Sequence, residues 1–458
     1  MHEVVNPFDL SVIGSVPTHD WAAVDAALAR AHRLARDRSQ WKKPHQRAAI
    51  LHRACEIMRE RRDHLAFQIA NEGGKPLIDA RVEVDRAING IELCIHEIGS
   101  LRGTEIPMGL TAASDGRLAW TTREPIGVVV AVSAFNHPLN LIVHQVAPAV
   151  AVGCPVIVKP AADTPLSCFE FISILHEAGL EPDWAQAVQP PRDVSERMVS
   201  DPRVAFFSFI GSAGVGWSLR TKLAPGTRCA LEHGGVAPVI VDPSANLDLA
   251  VPSIAKGGFY HSGQVCVSVQ RVFAHVSIVG ELAERLATAA SALKVGNAIH
   301  ADTECGPLIR PKEVERVGKW IDEARAGGAQ ILCGGEKLSH TTYAPTVLLN
   351  PSVDATISRN EVFGPAVCVY GYEDVDAAIA QANSLDVAFQ AAVFTNDLAA
   401  ALYTYRNIDA SAVMVNDHTA FRTDWMPFAG LRTSGHGVGG IPYTCHEMTI
   451  EKMIVFRG

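Results

Sequence analysis

The chain has 458 residues, 48% hydrophobic and 19% charged, the make-up of a globular protein long enough for two or three domains with a core each. Its formal net charge of −9 argues against a nucleic-acid partner, because phosphate backbones are bound by concentrated basic surface. No run of about 18 apolar residues marks a membrane span. Met1-His2-Glu3-Val4 also lacks the basic and apolar segments of a signal peptide, so a cytoplasmic protein without a membrane partner is expected.

Residues 21–39 are alanine-rich and amphipathic, and 45–71 place Ile50, Leu51, Ile57, Leu65 and Ile69 at helical spacing. Gly73-Gly74-Lys75-Pro76 stops that run, and a third helix is predicted over 77–98. From Ile126 the texture changes to short β-branched runs separated by helical stretches, at 127–132, 155–158, 203–209 and 238–241. Near-continuous apolar strands alternating with helices predict a parallel sheet covered on both faces. A second strand–helix series follows Glu232, with strands at 271–275, 330–333 and 410–415. The fold class read from this order is α/β, with two stacked open-sheet units. Two strand-like segments, 116–123 and 448–456, fall outside both and need pairing partners for their edges.

Ten cysteines are scattered without a C-x-x-C pair or zinc-type spacing. Cys94, Cys168, Cys229, Cys333 and Cys368 sit in apolar or helical contexts that suit reduced core thiols. The 18 histidines form no H-E-x-x-H or comparable spacing, and no metal is expected.

One cysteine differs. In His261-Ser262-Gly263-Gln264-Val265-Cys266-Val267-Ser268 a thiol ends a glycine-containing loop that enters an apolar run, which presents it to a pocket. Leu231-Glu232-His233-Gly234-Gly235 sets a carboxylate in a glycine turn, and Phe135-Asn136-His137-Pro138 adds an amide. Nucleophile, base and oxyanion donor are then all available. Taken singly, the cysteine reads as a small buried hydrophobe and the glutamate as a solvated turn residue.

Three further segments stand in order with these: Ile157-Val158-Lys159-Pro160, Phe209-Ile210-Gly211-Ser212 and Glu361-Val362-Phe363-Gly364-Pro365. Together the motifs resemble the F-N-x-P, K-P, F-x-G-S, E-x-G-G, G-Q-x-C and E-x-F-G-P signatures of the NAD(P)-dependent aldehyde dehydrogenase superfamily. The resemblance runs from Asn6-Pro7-Phe8 to Glu451-Lys452-Met453. It implies a cofactor-binding domain over 1–112 and 127–233, a catalytic domain over 234–432, and a small β oligomerisation arm over 113–126 and 445–458. The arm implies a homodimer or homotetramer.

The resemblance also implies NAD or NADP as cofactor. Lys159 would hold the adenosine ribose, Gly211 and Ser212 the phosphates, with Gly216 allowing close packing, Glu361 the nicotinamide ribose, and Phe363 would pack beside the nicotinamide. Many NAD-using relatives carry a glutamate where this chain has Ala162, which is followed by Asp163. NADP is therefore expected to be tolerated, with the preference open. Val236 and Val265 are two other departures, at positions where lysine and arginine are common in the family.

The implied reaction oxidises a small aldehyde to its carboxylate. Cys266 adds to the carbonyl, Asn136 and the Cys266 backbone N–H meet the oxyanion, hydride leaves to the nicotinamide, and Glu232 activates the water that hydrolyses the thioester. F-N-H-P resembles members acting on small polar or anionic aldehydes. Arg86, His137 and Arg422 are the candidate holders of an anionic end; structural ion pairs are the other reading of the two arginines. Competing functions are a CoA-acylating dehydrogenase, which a water-activating Glu232 opposes, and a non-catalytic protein on the same scaffold.

Overall fold

The computed structural model describes residues 1–457. Two open sheets form its frame. The first has six strands in the order Gly435–His436, Arg228–Glu232, Val204–Ile210, Val128–Val132, Val156–Lys159, Ala185–Ala187. All neighbours are parallel except Gly435–His436, which returns from near the C-terminus and runs antiparallel to Arg228–Glu232. The second has seven strands in the order Gln330–Cys333, Thr346–Leu349, Ala366–Tyr372, Val269–His275, Ala237–Val241, Gln390–Phe394, Ala412–Val415. Its one antiparallel member among the described residues is the edge strand Gln330–Cys333.

Each sheet separates two cores, which explains the apolar runs. Along Val128–Val132, Val129 and Ala131 join one hydrophobic cluster while Val128 and Val130 join the other. Along Ala237–Val241, Ile240 faces one cluster and Val239 and Val241 the opposite one. Alternation sends successive side chains to opposite faces, so a strand covered on both needs apolar residues throughout.

The predicted helix over 45–71 is two helices, Pro44–Glu60 and Arg62–Gly73, broken at Arg61, whose φ of −101° and ψ of 15° leave the helical region. Apolar spacing carries across the break because both pieces pack on the same core. An N-terminal hairpin, His2–Val5 with Val12–Val16, was not foreseen. The two segments outside the sheets pair with each other: Thr449–Arg457 runs antiparallel to Arg117–Pro125 over its whole length, and Glu105–Ile106 adds a third strand. Leu118, Met453, Ile454, Val455 and Phe456 are exposed on this arm. No helix among the described residues is long and apolar enough to cross a membrane.

The first sheet changes winding direction beside Val128–Val132, with Val156–Lys159 on one flank and Val204–Ile210 on the other. At such switch points the carboxyl ends of the strands diverge and leave a crevice. Ser133 to Asn136 and Gly211 follow these ends, and Lys159 closes one of them. The second sheet presents its opposite edge: Gly235 precedes Ala237–Val241, Cys266 precedes Val269–His275, and Glu361 precedes Ala366–Tyr372. The carboxyl edge of one sheet thus faces the amino edge of the other across a shared cavity.

Candidate active site

That cavity has a volume of about 620 Å³, and Asn136, Glu232, Cys266, Glu361, Phe363 and Arg422 all line it. The loop carrying the thiol is built from three consecutive left-handed residues, with φ of 48° at His261, 56° at Ser262 and 69° at Gly263. Two of these are non-glycine, a strained backbone that persists only under support. A side chain at Gly263 would put its Cβ 2.1 Å from the Gly364 carbonyl oxygen. The support comes from Gln264. Its buried amide donates to the carbonyls of His261 at 3.3 Å and Pro307 at 3.2 Å and accepts from the Ile309 N–H at 2.9 Å.

Asn136 Nδ2 donates to the Gln264 carbonyl at 2.9 Å, tying the amide to the cysteine loop. An amide nitrogen has two protons, so one is left for a substrate oxygen. Burial pushes the Cys266 thiol up to about 12, helped by the Glu361 carboxylate and opposed by Arg422. Glu232 ends the strand Arg228–Glu232. A side chain at Gly439 would put its Cβ 2.1 Å from Glu232 Oε1, so only glycine leaves room for this carboxylate. Burial raises the Glu232 carboxyl, Arg422 pulls it back, and Glu447 raises it further.

The remaining wall separates the two arginines. Arg86 donates to Asp424 from Nε at 3.2 Å and Nη2 at 2.6 Å, and His144 Nε2 lies 2.8 Å from the same carboxylate. Arg86 thus forms the structural ion pair that is the other reading of this arginine, and it lines the cavity with two of its five donors taken up by Asp424. Arg422 differs. Its guanidinium lies 3.5 Å above the Phe428 ring, and its buried Nε and Nη2 have no hydrogen-bond partner among the described residues. His137 is buried, with Nε2 3.5 Å from the Tyr260 hydroxyl. Burial, with Lys75, holds its imidazole well below the usual histidine range, so it is neutral.

On the opposite side, Glu361 is lodged against Gly234, where a Cβ would lie 1.7 Å from Oε1. That oxygen is buried without a partner, and burial raises the carboxyl to about 8. Phe363, at φ 45°, meets Phe135 edge-on with ring centroids 5.7 Å apart. Beyond lies a cleft of about 1210 Å³ lined by Lys159, Ala162 and Ser212. Ser212 is the N-cap of the helix Ala213–Arg220 and follows Gly211, so open backbone N–H groups face the cleft. At Gly216 a Cβ would come within 2.1 Å of His233 Cε1, so helix and glutamate turn touch only through glycine. Among the described residues Lys159 Nζ donates only to the Pro160 carbonyl, at 2.9 Å.

These features fit a dinucleotide. A helix N-terminus can receive a pyrophosphate, a lysine borders one end, and an orphaned carboxylate oxygen at the other can accept from ribose hydroxyls. The sequence reading missed Gln264 as the loop's brace, Tyr260 as the partner of His137 and Asp424 as the partner of Arg86. A buried glutamine beside a glycine was the available signal for the first. Nothing in the order of residues pairs Arg86 with Asp424.

A family model described as "Aldehyde dehydrogenase family" matches residues 1–454. The chain is 36% identical over 415 residues to the 3-sulfolactaldehyde dehydrogenase of Priestia aryabhattai, covering 90% of this chain and 87% of that one. Its structure is similar to that of aldehyde dehydrogenase 21 from Physcomitrella patens in complex with the reaction product succinate, at TM-score 0.96 and 33% identity over 99% of this chain and 94% of the other. It is also similar to a glyceraldehyde-3-phosphate dehydrogenase from Methanocaldococcus jannaschii complexed with NADP, at TM-score 0.94 and 32% identity over 100% and 99% of the two chains.

Proposed function

Because the chain belongs to the aldehyde dehydrogenase family, we propose that it oxidises a small polar aldehyde with an anionic end to its carboxylate, by covalent catalysis at Cys266 with Glu232 and Asn136. The observation that carries this reading is the meeting of thiol, carboxylate and amide around one cavity that also holds the unpartnered guanidinium of Arg422.

Cys266 Sγ attacks the carbonyl carbon, and the free proton of Asn136 Nδ2 and the Cys266 N–H receive the oxygen as its charge grows. Arg422 and that N–H favour the thiolate against burial and the nearby carboxylates. NAD or NADP, when bound, accepts the hydride from the substrate carbon. Gly211 and Ser212 would hold its phosphates, Lys159 its adenosine ribose and Glu361 its nicotinamide ribose, with Phe363 packed alongside. The acyl group is left as a thioester on Sγ. Glu232 takes a proton from water, whose oxygen adds to that thioester, and the carboxylate product departs as sulfur is released.

Arg422 would bind the far end of the substrate, for which its open donors speak. The relatives' names, 3-sulfolactaldehyde and glyceraldehyde 3-phosphate dehydrogenase, describe substrates with anionic ends and support the same choice. The apolar strands of the arm support a homodimer or homotetramer, and ten free cysteines suit a reducing cytoplasm.

Glu232→Gln tests the assignment. It should release a burst of reduced cofactor and then stall, with an acyl adduct on Cys266 visible by mass spectrometry. Normal steady-state turnover, or neither burst nor adduct, would overturn it.

A further inference from the structure

The cavity of the thiol and the cleft of Lys159 share Ala162, Phe209, Ser212, Val215 and Arg310 in their walls, so the two are one passage joined at those residues. Arg310 comes from the segment before the helix Pro311–Ala326, on the side of the seven-stranded sheet. It reaches across the junction to the loop after Val156–Lys159. There it donates from Nε to Asp163 Oδ1 at 2.7 Å and from Nη2 to the second carboxylate oxygen.

Asp163 lines the thiol cavity beside Ala162, which both spaces share, and free it would oppose any negative group at that junction. The bidentate pair cancels its charge and still leaves Arg310 with N–H donors, since a guanidinium has five and the carboxylate takes two. Two carboxylates line the cleft itself: Glu196 is paired with Lys222, and Asp20 accepts from the Ala23 N–H that it caps. Lys159, His2 and Arg192 line the same cleft and have no carboxylate partner among the described residues. His2 Nε2 lies 2.7 Å from the Ala162 carbonyl. A carbonyl only accepts, so Nε2 carries the proton and the N-terminal strand is pinned over the position of the missing glutamate.

We propose that Arg310 is a cofactor-selectivity residue: by taking up Asp163 it leaves the adenosine end of the passage cationic, with Lys159 and Arg192, so that the cleft receives the 2′-phosphate of NADP in preference to the bare ribose of NAD. The proposal rests on reading this cleft as the adenosine site of the cofactor.

Calorimetric titration of the full chain with 2′,5′-ADP and with 5′-AMP tests it without turnover. The unaltered protein should bind 2′,5′-ADP at least about tenfold more tightly, the size expected of one charge-assisted contact to phosphate. Arg310→Met frees the Asp163 carboxylate and should lower that ratio about tenfold or more. Asp163→Asn, which leaves Arg310 without its partner, should raise it, and the double variant should lie between the two single ones. Equal binding of the two nucleotides by the unaltered protein, or a ratio unmoved by Arg310→Met and Asp163→Asn, overturns the proposal while the adenosine site stands. Binding of neither nucleotide rejects the adenosine site and the proposal with it.

Discussion

Arg422 lowers two groups that burial has raised, the Glu232 carboxyl and the Cys266 thiol, and in the proposed function its open Nε and Nη2 bind the far end of the substrate. Two measurements on Arg422→Met separate these effects. With an aldehyde ending in a carboxylate, KM should rise about tenfold or more, the loss of a charge-assisted hydrogen bond, while the loss with propanal stays much smaller. With propanal, which has no anion to bind, the pH profile reports the groups that must ionise, the Glu232 carboxyl and the Cys266 thiol, both of which Arg422 lowers. Both work when ionised, so the rate falls as pH drops through their raised values. Removing the cation raises those values further, and the acid limb should move to higher pH. An unmoved limb would show that Arg422 acts on neither the Glu232 carboxyl nor the Cys266 thiol.

At the level of elements, the segment 418–428 is held over the cavity from behind by Asp424. This carboxylate draws together Arg86 on the helix Leu77–Ser100 and His144 on Asn140–Val152. Burial alone would raise the Asp424 carboxyl, but hydrogen bonds from His144 and Arg86 outweigh it and hold the group far below the usual carboxylate range. Folded pKa below unfolded means that the stability is present above the ordinary carboxylate range and is lost as pH falls through it. Asp424→Ala leaves the Arg86 guanidinium without its partner and should cost about 3–5 kcal/mol in denaturant unfolding at neutral pH. The same change loosens the segment that carries Arg422, so KM for an anionic aldehyde should rise along with the loss of stability. A variant as stable as the parent would show that this ion pair does not anchor the segment.

For the whole molecule, the arm is the surface least suited to water. The strand Thr449–Arg457 exposes Met453, Ile454, Val455 and Phe456, and Trp120 stacks on Phe456 with centroids 5.1 Å apart. Exposed apolar side chains on a long edge strand invite pairing with another chain. Ile454→Lys places a charge in the middle of that edge and should shift the protein to a smaller species in analytical ultracentrifugation, with far-UV circular dichroism unchanged. An unchanged sedimentation coefficient would locate any contact between copies elsewhere.

The order of residues alone determined the α/β class and the two strand–helix series, because strands buried on both faces must be apolar throughout and so stand out locally, as in Val128–Val132. It also carried the ordered motifs around Asn136, Lys159, Gly211, Glu232, Cys266 and Glu361, whose glycines mark places where a backbone must approach another group, such as Gly263 against Gly364. The break at Arg61 stayed hidden because apolar periodicity continues through it. Which arginine is open to an anion was decided only in three dimensions. Arg86 and Arg422 are equally charged in sequence, yet one meets Asp424 across 338 positions while the other lies on the face of Phe428 with its Nε and Nη2 unbonded among the described residues. The same holds for Asp163, whose charge next to Ala162 is cancelled by Arg310 from 147 positions away. Local order shows where charges are; long-range packing determines which of them are already neutralised.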